Sequence, residues 1–375
     1  MVKTSEIFTR PELKLPIAWS WGESPSELMQ ERIDRFFSVI SEVLTDAAII
    51  QQARQTAGLL MKAFKCSLEG DVIMAHTRFH EAMAEMGDKL PISDESSFGL
   101  SSRHYPNIAF RMRKSKGRDL TKEDLFHIPF DKRFKVASER FSVLGAPCLY
   151  LGGSVFTCWE EMDRPPFHEL QVSAFWVASP IRFVDLRVTP LAISSKLAPY
   201  LWRDKESARD EYAESQLLQL SQVWPLMALC MMKVAQPNGA FKPEYVIPQM
   251  TLHWIARNEK LDGVAYASCQ TGVNCVQGIT SLSNYAFPVR SFKNKGRCPA
   301  LVERFRMTNP INCELLASMD LHAGERAVEY DIEVDEGVRS SSGETHFGRI
   351  ERGLFGLLGR IRHSKVQNDG MVSVT

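Results

Sequence analysis

Five side chains in this sequence have types and positions suited to chemistry: Arg111, Arg140, Tyr150, Glu161 and Ser268. A carboxylate such as Glu161 can stabilise developing positive charge or hold a hydroxyl. An arginine offers cationic donors in fixed geometry, which suits an anionic group better than lysine does. A tyrosine ring can stack on a ligand or hydrogen-bond to it. Arg111 follows the strand-like run Ile108-Ala-Phe110, and an arginine leaving such a strand can point into a cleft. Arg113 is its rival if the register differs by two. Each residue also has a plain structural reading: a surface helix Glu, a core Tyr, surface arginines and a turn Ser.

The elements that must position Tyr150 and Glu161 are short. Gly145-Ala-Pro147 is turn chemistry, and Pro147 to Leu151 is an apolar run of strand length. Gly152-Gly153 interrupts it, because two glycines cost too much entropy inside an element. Ser154 is a candidate N-cap for a helix. At about 100° per residue, Val155, Cys158, Trp159 and Met162 fall on one apolar stripe. Glu160 then points toward water and Glu161 lies at the stripe's edge. A Tyr at a strand end and a Glu at a helix edge, joined by glycines, read as the wall of a pocket.

The pieces Phe110-Arg111, Arg140-Phe-Ser, Pro-Cys-Leu-Tyr150-Leu, Glu161 eleven positions later, Tyr266-Ala-Ser268 and Asn284-Tyr-Ala-Phe-Pro288 together resemble the RES domain, named for its Arg, Glu and Ser. The resemblance covers residues 105 to 290. It implies an α+β fold, an ADP-ribosyltransferase-like mixed sheet core with helices. It also implies cleavage of the nicotinamide–ribose bond of NAD+, with water or phosphate as acceptor, by a toxin or defence effector. In that chemistry the ribose gains oxocarbenium character. Glu161 would stabilise it, Arg111 and Arg140 would hold the diphosphate, Tyr150 would meet the nicotinamide ribose, and Ser268 would bond nicotinamide or ribose. Glu161, Arg140 and Tyr150 are then the catalytic set, with Arg111 and Ser268 binding substrate. NAD+ is substrate, and no separate cofactor or metal is expected. The implied partner is a neutralising antitoxin or regulatory protein, and a homo-oligomer stays open. Family members carry Gly-Gly-Arg-Trp-Asn where this chain has Ser138-Glu-Arg140-Phe-Ser142, which leaves the acceptor open. ADP-ribosyl transfer to a macromolecule and a non-enzymatic NAD+-binding scaffold are the alternatives.

Composition agrees with a folded protein. Of 375 residues 44% are hydrophobic, enough for a substantial core. Lys plus Arg and Asp plus Glu number 45 each, so net charge gives no general attraction to nucleic acid or an anionic membrane. The 8 cysteines form no Cys-x-x-Cys pair, and the start resembles no signal peptide. The run Val223 to Met232 contains Pro225 and is too short to span a bilayer. A reduced, cytoplasmic protein is the expectation. No phosphate loop of the P-loop or dinucleotide type occurs.

Three parts are expected along the chain: an all-helical N-terminal domain over 1–95, the RES-like catalytic domain over 96–292, and a C-terminal extension over 293–375. Helix starts are read at Ser24-Pro25, Asp46 and Asp71, with the first helix running to about Leu44 and stops near Gly70 and Gly87. His76 and His80 share a helix face, but the order of a zinc protease is absent, and a solvated or half-buried pair is the reading. Leu170 to Val177 and Ile181 to Val188 read as a hairpin or as consecutive strands of one sheet. Pro225 suggests a break or kink in a helix over 207–235. Ser340 to Gly343 reads as a loop, and the polar tail after His363 as disordered.

Overall fold

A computed structural model of the chain describes residues 4–100, 107–201, 206–269, 282–318, 331–334, 338–341 and 345–369. The chain is α+β, with helices ahead of the strands and both parallel and antiparallel strand pairs. It forms two compact units. The first comprises Met1–Ile92, Ala137–Ala146 and Phe183–Cys269; the second comprises Ser93–Val136, Pro147–Arg182 and Gln270–Thr375. These differ from the three consecutive segments read from the sequence. Strands pair with partners far along the chain, so each unit is assembled from three separate stretches.

Local hydrogen bonding explains the N-terminal helices of the first unit. Pro25–Ile40 starts where the Ser24 hydroxyl accepts from the Glu27 amide. Ala47–Leu68 starts at Asp46, which accepts from Ala48 and Ile49, and Val72–Met86 at Asp71, which accepts from Met74. Each cap satisfies amides that the first turn leaves without partners. The first helix ends at Ile40, short of Leu44, and the Ser41 hydroxyl there donates back to the Phe37 carbonyl at 2.6 Å. The long helix Glu206–Cys230 runs through Pro225, held by the wholly buried neighbours Trp224 and Leu226. Trp224 stacks on Phe36 at 4.2 Å. Arg182–Leu186 and Gly263–Ala267 pair in parallel, from Phe183 opposite Gly263 to Leu186 opposite Tyr266. A parallel pair needs a crossover connection, and the helices Glu206–Cys230 and Val246–Arg257 lie within it.

The second unit is built on antiparallel strands. Ile108–Lys114 pairs along its length with Leu170–Val177, Cys148–Gly152 pairs with Ser283–Pro288, and Phe305–Met307 and Ile311–Asn312 add to Leu170–Val177. Leu170–Val177 and Arg182–Leu186 are therefore not a hairpin. Each finds its partners elsewhere in the chain. The helices Val155–Glu160, Cys313–Ser318 and His346–Asp369 contribute to one core with Phe110, Met112 and Val172.

The last of these helices runs to Asp369, into the stretch after His363 that read as a disordered tail; residues 370–375 of that stretch lie outside the described residues. Phe347, Ile350, Leu354 and Leu358 recur at helical spacing and are buried, so the core holds the helix from its start. Ser340 and Ser341 belong to the strand Val338–Ser341, which pairs with Asp331–Val334, while Gly343 lies outside the described residues. No helix among the described residues is long and apolar enough to cross a membrane.

Candidate functional site

The strand Cys148–Gly152 delivers Tyr150, and a tight turn delivers Glu161. Gly152 has to be glycine: a Cβ there would lie 2.6 Å from the Cys158 Sγ and 3.3 Å from the Cys158 amide. The Ser154 hydroxyl caps the helix by accepting from the Thr157 amide at 3.1 Å. The Val155 amide donates to Oε1 of the buried Glu351 at 2.9 Å, so a carboxylate also meets the positive end of this helix.

The helix spans only Val155–Glu160, and Glu161 is the residue that ends it. Glu161 is exposed, yet its Oε1 accepts from Asn284 Nδ2 at 2.6 Å. Asn284 is buried and stands opposite Gly152 in the strand pairing.

Glu160 corrects the helical-wheel expectation. It is 6% exposed rather than turned to water, and pairs with Arg164 at 2.9 Å. Asp163 and Arg164 take positive φ values of 59° and 53°, which turns the chain back. The Arg164 amide then bonds the Trp159 carbonyl, and its guanidinium covers Glu160. A wheel assumes that the helix continues, and here it stops.

Arg111 lies within the strand Ile108–Lys114 rather than at its end. That strand meets Cys148–Gly152 only at Phe110 and Gly152, and beyond this point Arg111 Nη1 donates to the Tyr150 carbonyl at 2.9 Å. Arg111, not Arg113, therefore meets Tyr150. Burial, and then the like charge of Arg113, push the Arg111 guanidinium down to about 9. An arginine still keeps its proton at neutral pH. The shift therefore means a poorly solvated cation, and among the described residues no carboxylate pairs with it. The Cys158 thiol, pushed up to about 12 mainly by burial, is lowered by Arg111 and raised by Glu161 and Glu351. One buried thiol thus lies within electrostatic reach of all three charges.

Arg140 and Ser268 belong to the first unit. Arg140 Nη1 donates to the carbonyls of Cys230 and Met232 at 3.2 and 2.9 Å, and its guanidinium lies over the Tyr245 ring. Cys230 ends the helix Glu206–Cys230, where a cation satisfies free carbonyls and suits the helix dipole. Phe141 packs on Tyr266 with ring centroids 4.4 Å apart, and buried Ser268 follows just after that strand. The five residues thus fall into two groups: Arg111, Tyr150 and Glu161 in one unit, Arg140 and Ser268 in the other.

His76 and His80 line an open groove with His253 and Arg257, and the His76 and His253 rings are 5.5 Å apart. Burial and the neighbouring cationic groups lower both His76 and His253. Among the described residues no group of three or more His, Cys, Asp or Glu is placed to hold a metal ion.

Sequence reasoning named Asn284 only as the start of a strand-like run, with no part in the site, and left out Glu351. Asn284 heads a strand-like run, where asparagine is disfavoured, and that was a usable signal. Glu351 is 196 positions from Val155 and carries no local signal.

No protein-family model and no solved structure matches the chain. It is similar to a Bacillus subtilis (strain 168) protein named "Putative toxin YopC", with 29% identity over 366 residues, covering 95% of this chain and 80% of that protein.

Proposed function

We propose that this chain is a toxin that cleaves the nicotinamide–ribose bond of NAD+. The observation that carries this reading is the grouping of Arg111, Tyr150 and Glu161 around the Gly152-Gly153 turn, with Glu161 held by Asn284. Its resemblance to the RES domain supplies the chemistry, and its likeness to a protein named as a toxin supports the role.

As the glycosidic bond breaks, nicotinamide leaves neutral and the ribose carbon becomes oxocarbenium-like. The Glu161 carboxylate stabilises that charge and holds a ribose hydroxyl. Arg111 carries a positive charge without a paired carboxylate among the described residues, which suits the diphosphate. Tyr150 borders the ribose. Water as acceptor gives ADP-ribose and a proton; inorganic phosphate gives ADP-ribose 1-phosphate. The resemblance assigns Arg140 and Ser268 to the same reaction, and Arg140 has a helix-capping role besides. NAD+ places the action in the cytoplasm, and a cell that carries the chain needs a neutralising protein.

The test is NAD+ consumption by the purified chain, with and without phosphate, beside Glu161→Gln. Loss of NAD+ in the parent alone supports the reading, and phosphate dependence names the acceptor. Equal loss in the variant removes Glu161 from the chemistry. Label from NAD+ appearing on a macromolecule would make the chain an ADP-ribosyltransferase instead.

A further inference from the structure

Glu161 occupies an awkward place for a carboxylate that must point one way. It ends a helix, where the negative end of the dipole disfavours an anion, and it is exposed. An exposed glutamate on a short helix has many rotamers available.

Asn284 counters both effects. It is 7% exposed, in a strand position where asparagine is a poor choice for the backbone. Its backbone is pinned: Gly152 pairs with Asn284, Leu151 pairs with the wholly buried Tyr285, and the Gly153 amide donates to the Ser283 carbonyl at 2.6 Å. Its side-chain amide lies 2.6 Å from Glu161 Oε1. A carboxylate oxygen can only accept, so the facing atom is the NH2 group, and this chemistry sets the orientation of the amide.

We infer that Asn284 is a positioning residue for Glu161: its amide fixes one carboxylate oxygen and so holds the carboxylate in a single orientation toward the ribose. The inference rests on the NAD+-cleaving reading above. Asn284 touches no reacting atom itself. The same strand that borders Tyr150 thereby orients Glu161, so the two residues are set by one register.

The experiment is steady-state NAD+ consumption by the full chain and by Asn284→Ala and Asn284→Asp, across pH 5 to 9, with melting curves for each. The Ala variant should lose about 10–100-fold in kcat, the scale of a misplaced catalytic group, with KM nearly unchanged. The Asp variant should move the acid limb of the pH–rate profile upward, because two carboxylates at this separation share a proton. A merely structural role would lower the melting temperature without moving that limb. Full kcat in the Ala variant, beside an active parent, overturns this inference and leaves the NAD+ reading standing. If the Ala variant fails to fold, the Asp variant decides, and an unmoved acid limb overturns the inference. A parent that neither consumes NAD+ nor transfers label from it overturns the reading and the inference together.

Discussion

The Arg111 guanidinium donates to the backbone carbonyl of Tyr150 at 2.9 Å, across two strands that pair only at Phe110 and Gly152. One side chain thus replaces a missing piece of sheet ladder and leaves a positive charge at the strand that carries Tyr150.

Two effects of changing Arg111 follow. Arg111→Lys keeps the charge but loses the planar fork, and KM for NAD+ should rise by about tenfold or more if a diphosphate binds there. Arg111→Ala should also cost about 1–3 kcal/mol of stability, because the Tyr150 carbonyl loses a charged donor. Urea unfolding and initial rates separate the two. An unchanged KM in Arg111→Lys would leave Arg111 a sheet-filling role only.

Gly152→Ala places a methyl group 2.6 Å from the Cys158 sulfur. The expected cost is about 1–3 kcal/mol, as for other overpacked sites. Cys158→Ala opens the same space, so the double variant should be more stable than the two single effects predict. Thermal melts of all four proteins check this, and simple additivity would mean that the strand moves away instead.

Arg140→Ala should destabilise the chain by about 1–2 kcal/mol, since the carbonyls of Cys230 and Met232 lose their cationic donor. Arg140→Lys should recover part of it. The readout is the denaturant midpoint. A midpoint that does not move in the Ala variant would remove the capping role and leave Arg140 only the part proposed for it in NAD+ cleavage.

His127 sets an acid limit to stability. It is wholly buried, with Nδ1 donating to the Ile128 carbonyl at 2.8 Å and Nε2 accepting from the Cys298 amide at 2.9 Å, so it is neutral. Burial first, and then Arg297 and Arg111, lower it from 6.5 to about 4. The unfolded chain therefore binds the extra proton first. Stability is whole above pH 6.5 and falls as pH drops toward 4, by about 3 kcal/mol at most from this group. His127→Gln should flatten that part of the curve, measured by urea unfolding between pH 4 and 7. An equally steep fall in the variant would assign the acid limit to other groups.

What lies within a few residues was legible in the sequence. Ser24, Asp46, Asp71 and Ser154 cap the helices they were read to start, because a cap is a bond between residues two or three apart. The strand read over Pro147 to Leu151 was legible for the same reason, though it runs from Cys148 and takes in Gly152, so the break comes one residue later than read.

What the sequence alone determined is therefore a set of elements and a short list of chemically able residues. Tertiary structure decided which of them meet. Asn284 reaches Glu161 over 123 positions, Arg111 reaches Tyr150 over 39, and Arg140 reaches the Met232 carbonyl over 92. Helical spacing turned Glu160 to water, and the fold buried it under Arg164 once the chain turned back. The physical reason is register. Which side chains share a site depends on how distant strands align, and a slip of one residue would turn every side chain to the other face.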